Sequence, residues 1–290
     1  MSKELLIIIL NYSSNIDTIE LYQYLSLNTN FSILVIDNFS TSDEVLSLEL
    51  KIPKERLILN KKNLGYAGGN NIGLKYAKKH NFKYSLLLNP DIRINNKSIV
   101  KLLKEIKKET MLAATGPRIC FRSNPNIIYS DGGILKESKA YFTEHLHYKK
   151  EVNNIDNQDQ VYDADYVNGS AFMINMEVLE RVGYLDEKFF LYFEETDWCL
   201  RARKMGYSLK IFTNAVAFHL SSEKNNNYFF YMTRNRILLA NKNITYIEET
   251  RKLIGLSILK EIYGGLRKGE FPDKILRSKV KGYIYGVFNR

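Results

Sequence analysis

The chain has 290 residues, enough to bury a substantial core as one large domain, or as one domain with an appendage. Its two cysteines, Cys120 and Cys199, are far apart and form no CxxC pair, which argues against a disulfide framework or a zinc knuckle and fits a reducing cytoplasm. The net charge is +10, of which residues 241–290 carry +6, and this excess favours an anionic partner such as a nucleotide, a phospholipid headgroup or a nucleic acid.

The first predicted element, Leu5–Leu10, is an apolar run of six residues. It is not followed by a small-residue cleavage site, and no other run reaches the roughly 18 apolar residues that a membrane-spanning helix needs. We therefore expect a cytoplasmic protein that is neither exported nor membrane-spanning.

Strands and helices alternate over about the first 110 residues. The predicted strands are Leu5–Leu10, Ser32–Ile36, Arg56–Asn60 and Tyr84–Leu88, and the predicted helices lie near Thr18–Leu27, from Asn71 to about Lys79, and over Ser98–Lys108. Repetition of this unit predicts an α/β fold with right-handed crossovers on a mostly parallel sheet.

Polar residues stand at the ends of these strands: Asn11, Asp37, Asn63 and Asp91. Ligands of such sheets bind beyond the carboxyl ends of the strands, so one crevice would collect all four side chains. Turn formation is the alternative for each of them taken alone, because tight turns favour Asn, Asp and Gly.

The second half has less regular patterning. Ile127–Val161 is polar and aromatic and predicts hairpins or a long loop. The predicted strands are Asp165–Ile174, Phe189–Phe193 and Tyr207–Phe212, and the predicted helices are Glu194–Met205 and Tyr228–Ala240.

Acidic residues occupy the first turn of the helix that begins at Glu194. The helix dipole and the free N–H groups there hold a carboxylate ionised, as a general base requires. Asp197 and Arg201 have the spacing of an ion pair within a helix, which leaves Glu194 and Glu195 as candidate bases. The alternative is a pair of solvated glutamates at a helix start.

In order and spacing, seven segments resemble the family 2 glycosyltransferases of the GT-A fold, especially the bacterial rhamnosyltransferase-like branch. They are VIDNFS (Val35–Ser40), NLGYAGGNNIG (Asn63–Gly73), LLNPDI (Leu87–Ile92), NGSAFMI (Asn168–Ile174), GYLDEKFFLYFEETDWCLRARKMGY (Gly183–Tyr207), AFH (Ala217–His219) and TRNR (Thr233–Arg236). The resemblance implies a Rossmann-like catalytic domain over residues 1–240, with 241–290 as a basic, amphipathic helical extension.

The resemblance also implies a nucleotide-sugar donor and a divalent metal, Mg²⁺ or Mn²⁺. Asp91 would bind the metal, and His219 would complete its site. Asn89 stands where the family has the first acid of its metal motif, which weakens the expected hold on a hard cation. The implied donor-binding residues are Asn11, Asp37, Asn38, Asn63, Gly65, Asn70, Asn71, Asn89 and Arg234, with Asp37 on the base or ribose and Arg234 as a second cation for phosphate.

Glu195 occupies the place of the family's catalytic base, which implies an inverting transfer by a single displacement. The implied acceptor-binding residues are Glu194, Asp197, Trp198, Gly169 and Ser170, with Trp198 either stacking on a sugar or packing in the core. The favoured reaction moves L-rhamnose from dTDP-rhamnose to a saccharide or polyprenyl-diphosphate-linked acceptor in bacterial cell-surface polysaccharide synthesis, with a UDP-sugar as the alternative donor.

The basic, apolar tail predicts a peripheral position on the inner face of the plasma membrane. A helical bundle packed on the catalytic domain, or a homodimer interface, is the alternative. A sugar-nucleotide pyrophosphorylase and a non-catalytic sugar- or nucleic-acid-binding protein remain as rival functions. The resemblance itself implies no nucleic-acid partner.

Overall fold

The computed structural model describes residues 2–155, 161–220, 224–269 and 272–288. Its strands and helices, in chain order, are β1 (Ser2–Asn11), α1 (Asn15–Asn28), β2 (Phe31–Asp37), α2 (Ser42–Lys51), β3 (Leu57–Leu59), α3 (Gly65–Lys79), β4 (Tyr84–Leu88), β5 (Arg93–Ile94), α4 (Asn96–Ile106), β6 (Leu112–Phe121), β7 (Ile128–Ser130), β8 (Gly133–Lys136), β9 (Phe142–His145), β10 (Val161–Asp163), β11 (Ala171–Asn175), α5 (Met176–Val182), α6 (Glu194–Lys204), β12 (Ser208–His219), α7 (Asn226–Asn243), α8 (Ile247–Arg267) and α9 (Lys274–Phe288).

The chain divides into two units. The first comprises Met1–Ile134, His145–Phe190 and Glu194–Ser221, and the second comprises Leu135–Glu144, Leu191–Phe193 and Ser222–Arg290. The functional division into residues 1–240 and 241–290 stays a prediction.

The first unit is built on one mixed sheet with the strand order β10-β12-β6-β11-β4-β1-β2-β3. β1 is parallel to β2 and β4, and β6 is parallel to β12, while β11 lies antiparallel between β4 and β6. Both faces of β1 are buried, because its side chains alternate between two apolar clusters. The carboxyl ends of β1, β2, β4, β6 and β12 therefore share one edge, and the predicted α/β fold with its mostly parallel central sheet is confirmed.

The predicted strand Phe189–Phe193 is wrong. Phe190, Tyr192 and Phe193 have φ of +64°, +67° and +74°, which a strand cannot contain. The run is apolar because it packs inward as a turn, with Phe189 and Phe193 both buried. The predicted strand Asp165–Ile174 is too long, since strand geometry begins only at Ala171.

In the second unit, α7, α8 and α9 pack around a small apolar cluster that includes Ile237, Ile254, Ile258 and Leu276. Within the described residues, none of the helices combines the length and the apolar character needed to cross a membrane.

Candidate active site

The ends of β1 and β2 are tied together by a buried hydrogen-bond network. Asn11 and Asp37 are register partners, and Asn11 Nδ2 donates to Asp37 Oδ1 at 2.7 Å. The other oxygen of Asp37 accepts the backbone N–H groups of Phe39 and Ser40. Because Asn11 and Asp37 are fully buried, they order the loop after β2 in this conformation, and a direct contact between Asp37 and a nucleotide stays a prediction.

The loop before α3 is held by Asn38 and Asn63. Asn38 Nδ2 donates to Asn63 Oδ1 and to the Gly65 carbonyl, both at 3.0 Å. Gly65 has φ +69°, and a Cβ there would lie 2.2 Å from the Phe190 carbonyl oxygen. Glycine is required at Gly65 by this contact within the protein, and its contact with the donor stays a prediction.

Asn70 and Asn71 lie on α3 and have different surroundings. Asn71 exchanges two hydrogen bonds with the backbone of Leu185, at 2.9 and 3.1 Å, and thereby fixes the segment before α6. Asn70 Nδ2 donates to the Tyr66 carbonyl. Its Oδ1 is buried and has no hydrogen-bond partner among the described residues, which leaves an acceptor available to a ligand hydroxyl.

Asp91 lies between β4 and β5 and meets His219 at the end of β12, because β5 pairs with that end of β12. Asp91 Oδ2 lies 3.3 Å from His219 Nε2, and the ring of Tyr129 stacks on His219 at 4.8 Å between centroids. Burial raises the pKa of Asp91 and lowers the pKa of His219, so the surroundings favour the neutral form of each. Arg122 donates to the Asp91 carbonyl at 3.4 Å and adds positive charge.

This pair fits one edge of a divalent-metal site. Adjacent ligands of a cation bound at about 2.1 Å lie about 3 Å apart, close to the Asp91–His219 separation. Across the described part of the chain, no cluster of three or more His, Cys, Asp or Glu is placed to hold a metal. The remaining ligands would have to come from a diphosphate or water, as is usual for Mg²⁺ at phosphate sites.

Glu195 lies in the first turn of α6, beside Gly169. A Cβ built on Gly169 would stand 3.6 Å from the carboxyl carbon of Glu195, and the Tyr66 hydroxyl donates to the Gly169 carbonyl at 2.5 Å. Glu195 Oε2 is buried and accepts no hydrogen bond from any described residue. Burial raises the pKa of Glu195 to about 7, although the N–H groups of Glu195 and Thr196 act to lower it.

Ser170 connects the two centres. The Asn89 N–H donates to the Ser170 carbonyl at 3.0 Å, and Asn89 Nδ2 donates to Ser170 Oγ at 3.2 Å. Gly169, which lies beside Glu195, immediately precedes Ser170 in the chain. Asp91 follows two residues after Asn89. Asn89, which departs from the family pattern, therefore uses its amide as a donor that positions the segment beside the candidate base.

Asp197 and Trp198, two of the predicted acceptor contacts, face the interior. Asp197 is buried and bonds Arg201 Nε at 2.9 Å, which confirms the predicted ion pair within the helix. Trp198 is fully buried, donates its indole N–H to the Gly183 carbonyl at 2.8 Å and packs edge-on against Phe172. Stacking of Trp198 on a sugar is thus wrong, and its core alternative is correct. Glu194 is also buried, at the start of α6.

Arg234 belongs to the second unit and lies on α7. Its guanidinium sits over the rings of Tyr231, Tyr285 and Phe230, at 4.8, 5.7 and 5.9 Å from their centroids. Its predicted phosphate contact stays a prediction.

Sequence reasoning missed two aromatic residues of the first unit. Tyr66 lies near both candidate acids, and its pKa is raised by burial and by the charges of Glu194 and Glu195. It stands within the Asn63–Gly73 segment, so a signal for it was present. Tyr129 covers His219 from the Ile127–Val161 region, whose aromatic character was the signal for it.

Comparisons with known proteins identify the family of this chain. The model of "Glycosyl transferase family 2" matches residues 14–183. The low-salt glycan biosynthesis hexosyltransferase Agl10 of Haloferax volcanii is 30% identical over 100% of this chain and 93% of its own length. The dTDP-rhamnosyl transferase RfbF of Shigella flexneri is 24% identical over 74% of this chain and 72% of its own.

A solved structure shows the same fold. The mannosyltransferase PcManGT from Pyrobaculum calidifontis, in complex with GDP-Man and Mn²⁺, superposes with a TM-score of 0.60 at 10% identity, covering 99% of this chain and 88% of that one. These matches decide against the pyrophosphorylase and the non-catalytic alternatives. The chain belongs to the family 2 glycosyltransferases, with a GT-A fold and relatives among the rhamnosyltransferases.

Proposed function

We propose that the enzyme transfers a sugar from a nucleotide-sugar to an acceptor hydroxyl with inversion, and that Glu195 is the base. The observation that carries this proposal is the buried Oε2 of Glu195, which accepts no hydrogen bond from the described residues and lies beside Gly169. A base needs a free lone pair within reach of the hydroxyl it deprotonates and a pKa near the working pH. Glu195 Oε2 supplies such a lone pair, and its pKa of about 7 lies near the working pH.

In the proposed step the acceptor oxygen attacks the anomeric carbon as the bond from that carbon to the diphosphate breaks. The proton of the acceptor hydroxyl passes to the Glu195 carboxylate, and the bonding electrons leave with the nucleoside diphosphate. Attack on the side opposite the leaving group inverts the anomeric configuration. The hydrogen bond from Tyr66 to the Gly169 carbonyl holds the backbone beside the base.

Asp91 and His219 would hold the metal, which when bound supplies positive charge to the departing diphosphate. Their close approach supports this assignment. Asn89, two residues before Asp91, holds Ser170 in place. With one acidic ligand where the family has two, we expect weaker metal binding, and the proposed ion is Mg²⁺ or Mn²⁺.

The proposed donor is dTDP-L-rhamnose, in keeping with the similarity to the dTDP-rhamnosyl transferase RfbF, and a UDP-sugar is the alternative. The proposed acceptor is a saccharide or a polyprenyl-diphosphate-linked saccharide of a bacterial cell-surface polysaccharide. The test is release of nucleoside diphosphate from a panel of dTDP-rhamnose, UDP-glucose, UDP-N-acetylglucosamine and GDP-mannose, with a lipid-linked saccharide extract as acceptor. Release from dTDP-rhamnose alone supports the donor assignment, and release only from another donor overturns it.

We also propose that α8 binds the surface of an anionic membrane. Five apolar residues recur at helical spacing along it and are all exposed: Leu253, Leu256, Leu259, Tyr263 and Leu266. Basic residues lie along the same helix: Arg251, Lys252, Lys260 and Arg267. The opposite face, with Ile254 and Ile258, packs within the helical cluster of the second unit, so binding at the exposed face leaves that packing intact. A homodimer through the same face is the alternative.

A further inference from the structure

Three aromatic rings gather where β6, β7 and the loop after β9 approach one another. The ring of Phe121 lies 5.3 Å from Tyr129 and 6.1 Å from Tyr148, and Tyr129 and Tyr148 are 6.1 Å apart. Phe121 and Tyr129 are half-buried, whereas Tyr148 is 47% exposed. The cluster of Phe121, Tyr129 and Tyr148, called the aromatic platform below, therefore reaches the surface.

The backbone around Tyr148 adopts an unusual conformation. His147 and Lys149, on either side of it, have φ of +56° and +63°, a region that non-glycine residues rarely occupy. The Lys149 N–H donates to the Ile128 carbonyl at 2.8 Å, and the Lys150 N–H donates to the His147 carbonyl at 2.9 Å. Such strain persists only where the surroundings impose it, and it concentrates at functional sites.

A buried ion pair anchors this loop. Asp131 is fully buried and accepts two hydrogen bonds from Arg118, at 2.9 and 2.8 Å. Its Oδ2 also lies 2.8 Å from His147 Nδ1. Because Arg118 and Asp131 sit in the core, they fix His147, the residue next to Tyr148, before any ligand binds.

The platform is continuous with the proposed metal site. Tyr129 stacks on His219 at 4.8 Å and 27°, and His219 is the register partner of Phe121 at the ends of β12 and β6. In the sheet, β1, β2 and β3 lie on one side of β4 while β6 and β12 lie on the other. A nucleotide at the ends of β1 and β2 would thus leave the platform side of Asp91 open to a second substrate.

Aromatic rings of this kind suit carbohydrate. The C–H groups on one face of a pyranose carry slight positive charge and pack on the negative face of an aromatic ring, while tyrosine hydroxyls can exchange hydrogen bonds with sugar hydroxyls. We propose that the aromatic platform holds a sugar ring of the acceptor, with Tyr148 as its main contact. This inference rests on the proposed function and adds the place where the acceptor is recognised.

The test is saturation-transfer NMR on the full-length enzyme with Mg²⁺, using methyl glycosides of L-rhamnose, glucose, galactose and N-acetylglucosamine as probes. We expect at least one glycoside to bind the wild type, Tyr148→Ala to weaken it about tenfold, and Tyr148→Phe to keep most of the binding. Tyr24→Ala is the matched control, since Tyr24 is a similarly exposed tyrosine on α1 at 41%, and it should leave binding unchanged.

The inference is overturned if no glycoside binds the wild type, or if Tyr148→Ala binds the glycosides as the wild type does. It is also overturned if Tyr148→Ala instead weakens binding of the nucleoside diphosphate, because the platform would then serve the donor. Release of nucleoside diphosphate from the donor panel, with the lipid-linked saccharide extract as acceptor, is measured alongside. Its absence, with glycoside binding still dependent on Tyr148, would refute the proposed function and leave the platform as a sugar site.

Discussion

The carboxyl carbon of Glu195 lies 3.6 Å from the point where a Cβ of residue 169 would stand, so Gly169 forms the wall beside the candidate base. The same point is 3.2 Å from the Tyr66 hydroxyl, tighter than ordinary contact. Because Gly169, in the segment after β10, has no side chain, it leaves space for the Glu195 carboxylate.

Gly169→Ala should therefore reduce kcat while leaving the fold intact. The added methyl group must shift the Tyr66 hydroxyl by a few tenths of an ångström, and since a misplacement of 1 Å near the chemistry costs about a hundredfold in rate, we expect a loss of roughly two- to tenfold. Steady-state kinetics with a thermal melt measures both effects. Gly264→Ala on α8 is the control, because a Cβ there meets no described atom within 4 Å. Equal kcat in the two variants would show that Gly169 is not part of the active site.

Trp198→Phe should lower stability without changing acceptor recognition. The substitution removes the hydrogen bond to the Gly183 carbonyl and leaves a cavity in the core, which together cost about 2 kcal/mol. Urea unfolding measures the loss, and acceptor KM should stay within about twofold of the wild type, a difference of less than 0.5 kcal/mol. A large rise in acceptor KM at unchanged stability would show instead that Trp198 contacts the sugar.

The Asp91–His219 pair predicts that transfer depends on a divalent metal, and that this metal is bound less tightly than at a site with two acidic ligands. Exhaustive chelation should abolish transfer, and Mg²⁺ or Mn²⁺ should restore it. His219→Ala should raise the Mn²⁺ concentration needed for half-maximal activity by about 10- to 100-fold, since it removes one of two protein ligands.

A readout independent of activity is Mn²⁺ binding followed by electron paramagnetic resonance in the presence of nucleoside diphosphate. His219→Ala should weaken that binding as well. His80→Ala at the end of α3 is the control and should behave as the wild type. Full activity after chelation would exclude Asp91 and His219 from a metal role.

The exposed face of α8 predicts binding to anionic vesicles. Leu259→Glu with Leu266→Glu should abolish co-flotation with phosphatidylglycerol vesicles, because it replaces two exposed apolar anchors with negative charge. Leu50→Glu on α2, where Leu50 is also exposed, should not affect it. Binding should weaken with salt and be small on neutral phosphatidylcholine. If the double variant floats like the wild type, α8 is not the membrane-binding face. If the wild type is a dimer and the double variant is a monomer, the exposed face of α8 is instead a dimer interface.

Much of the fold could be predicted because burial leaves a local pattern. The first-half strands are continuous apolar runs since both faces of the sheet are covered, as β1 shows. The strand prediction for Phe189–Phe193 was wrong for the same reason. Its apolar side chains also pack inward, but as a left-handed turn, and composition alone cannot distinguish a buried turn from a buried strand.

The site was only partly predictable, because its parts come together through tertiary contacts. Asp91 and His219 are 128 positions apart in the sequence and meet because β5, which begins two residues after Asp91, pairs with the end of β12. Trp198 shared a helix with Glu195, yet the helical rotation between them places its indole in the core. The place of Tyr129 in the site follows from the pairing of β7 with β6, which the sequence pattern does not indicate.

Glu195 is the residue on which the mechanism depends, and its pKa gives a stability signature as well. Its folded pKa of about 7 lies above the ordinary value of 4.5, so the folded state favours the protonated form. The contribution to stability is full below about pH 4.5 and is lost as the pH rises through 7. Glu195→Gln, which cannot ionise, should therefore melt higher than the wild type at pH 8, with the gap closing towards pH 5.

The most direct test is the pH dependence of kcat/KM for the wild type beside the rate of Glu195→Gln. A base with this pKa predicts that kcat/KM falls about tenfold per pH unit below 7, and that Glu195→Gln loses roughly 10²- to 10⁴-fold while remaining folded. Glu49→Gln, an exposed change on α2, should match the wild type. A folded Glu195→Gln enzyme that transfers sugar at the wild-type rate, with a flat profile from pH 5 to 8, would contradict the account.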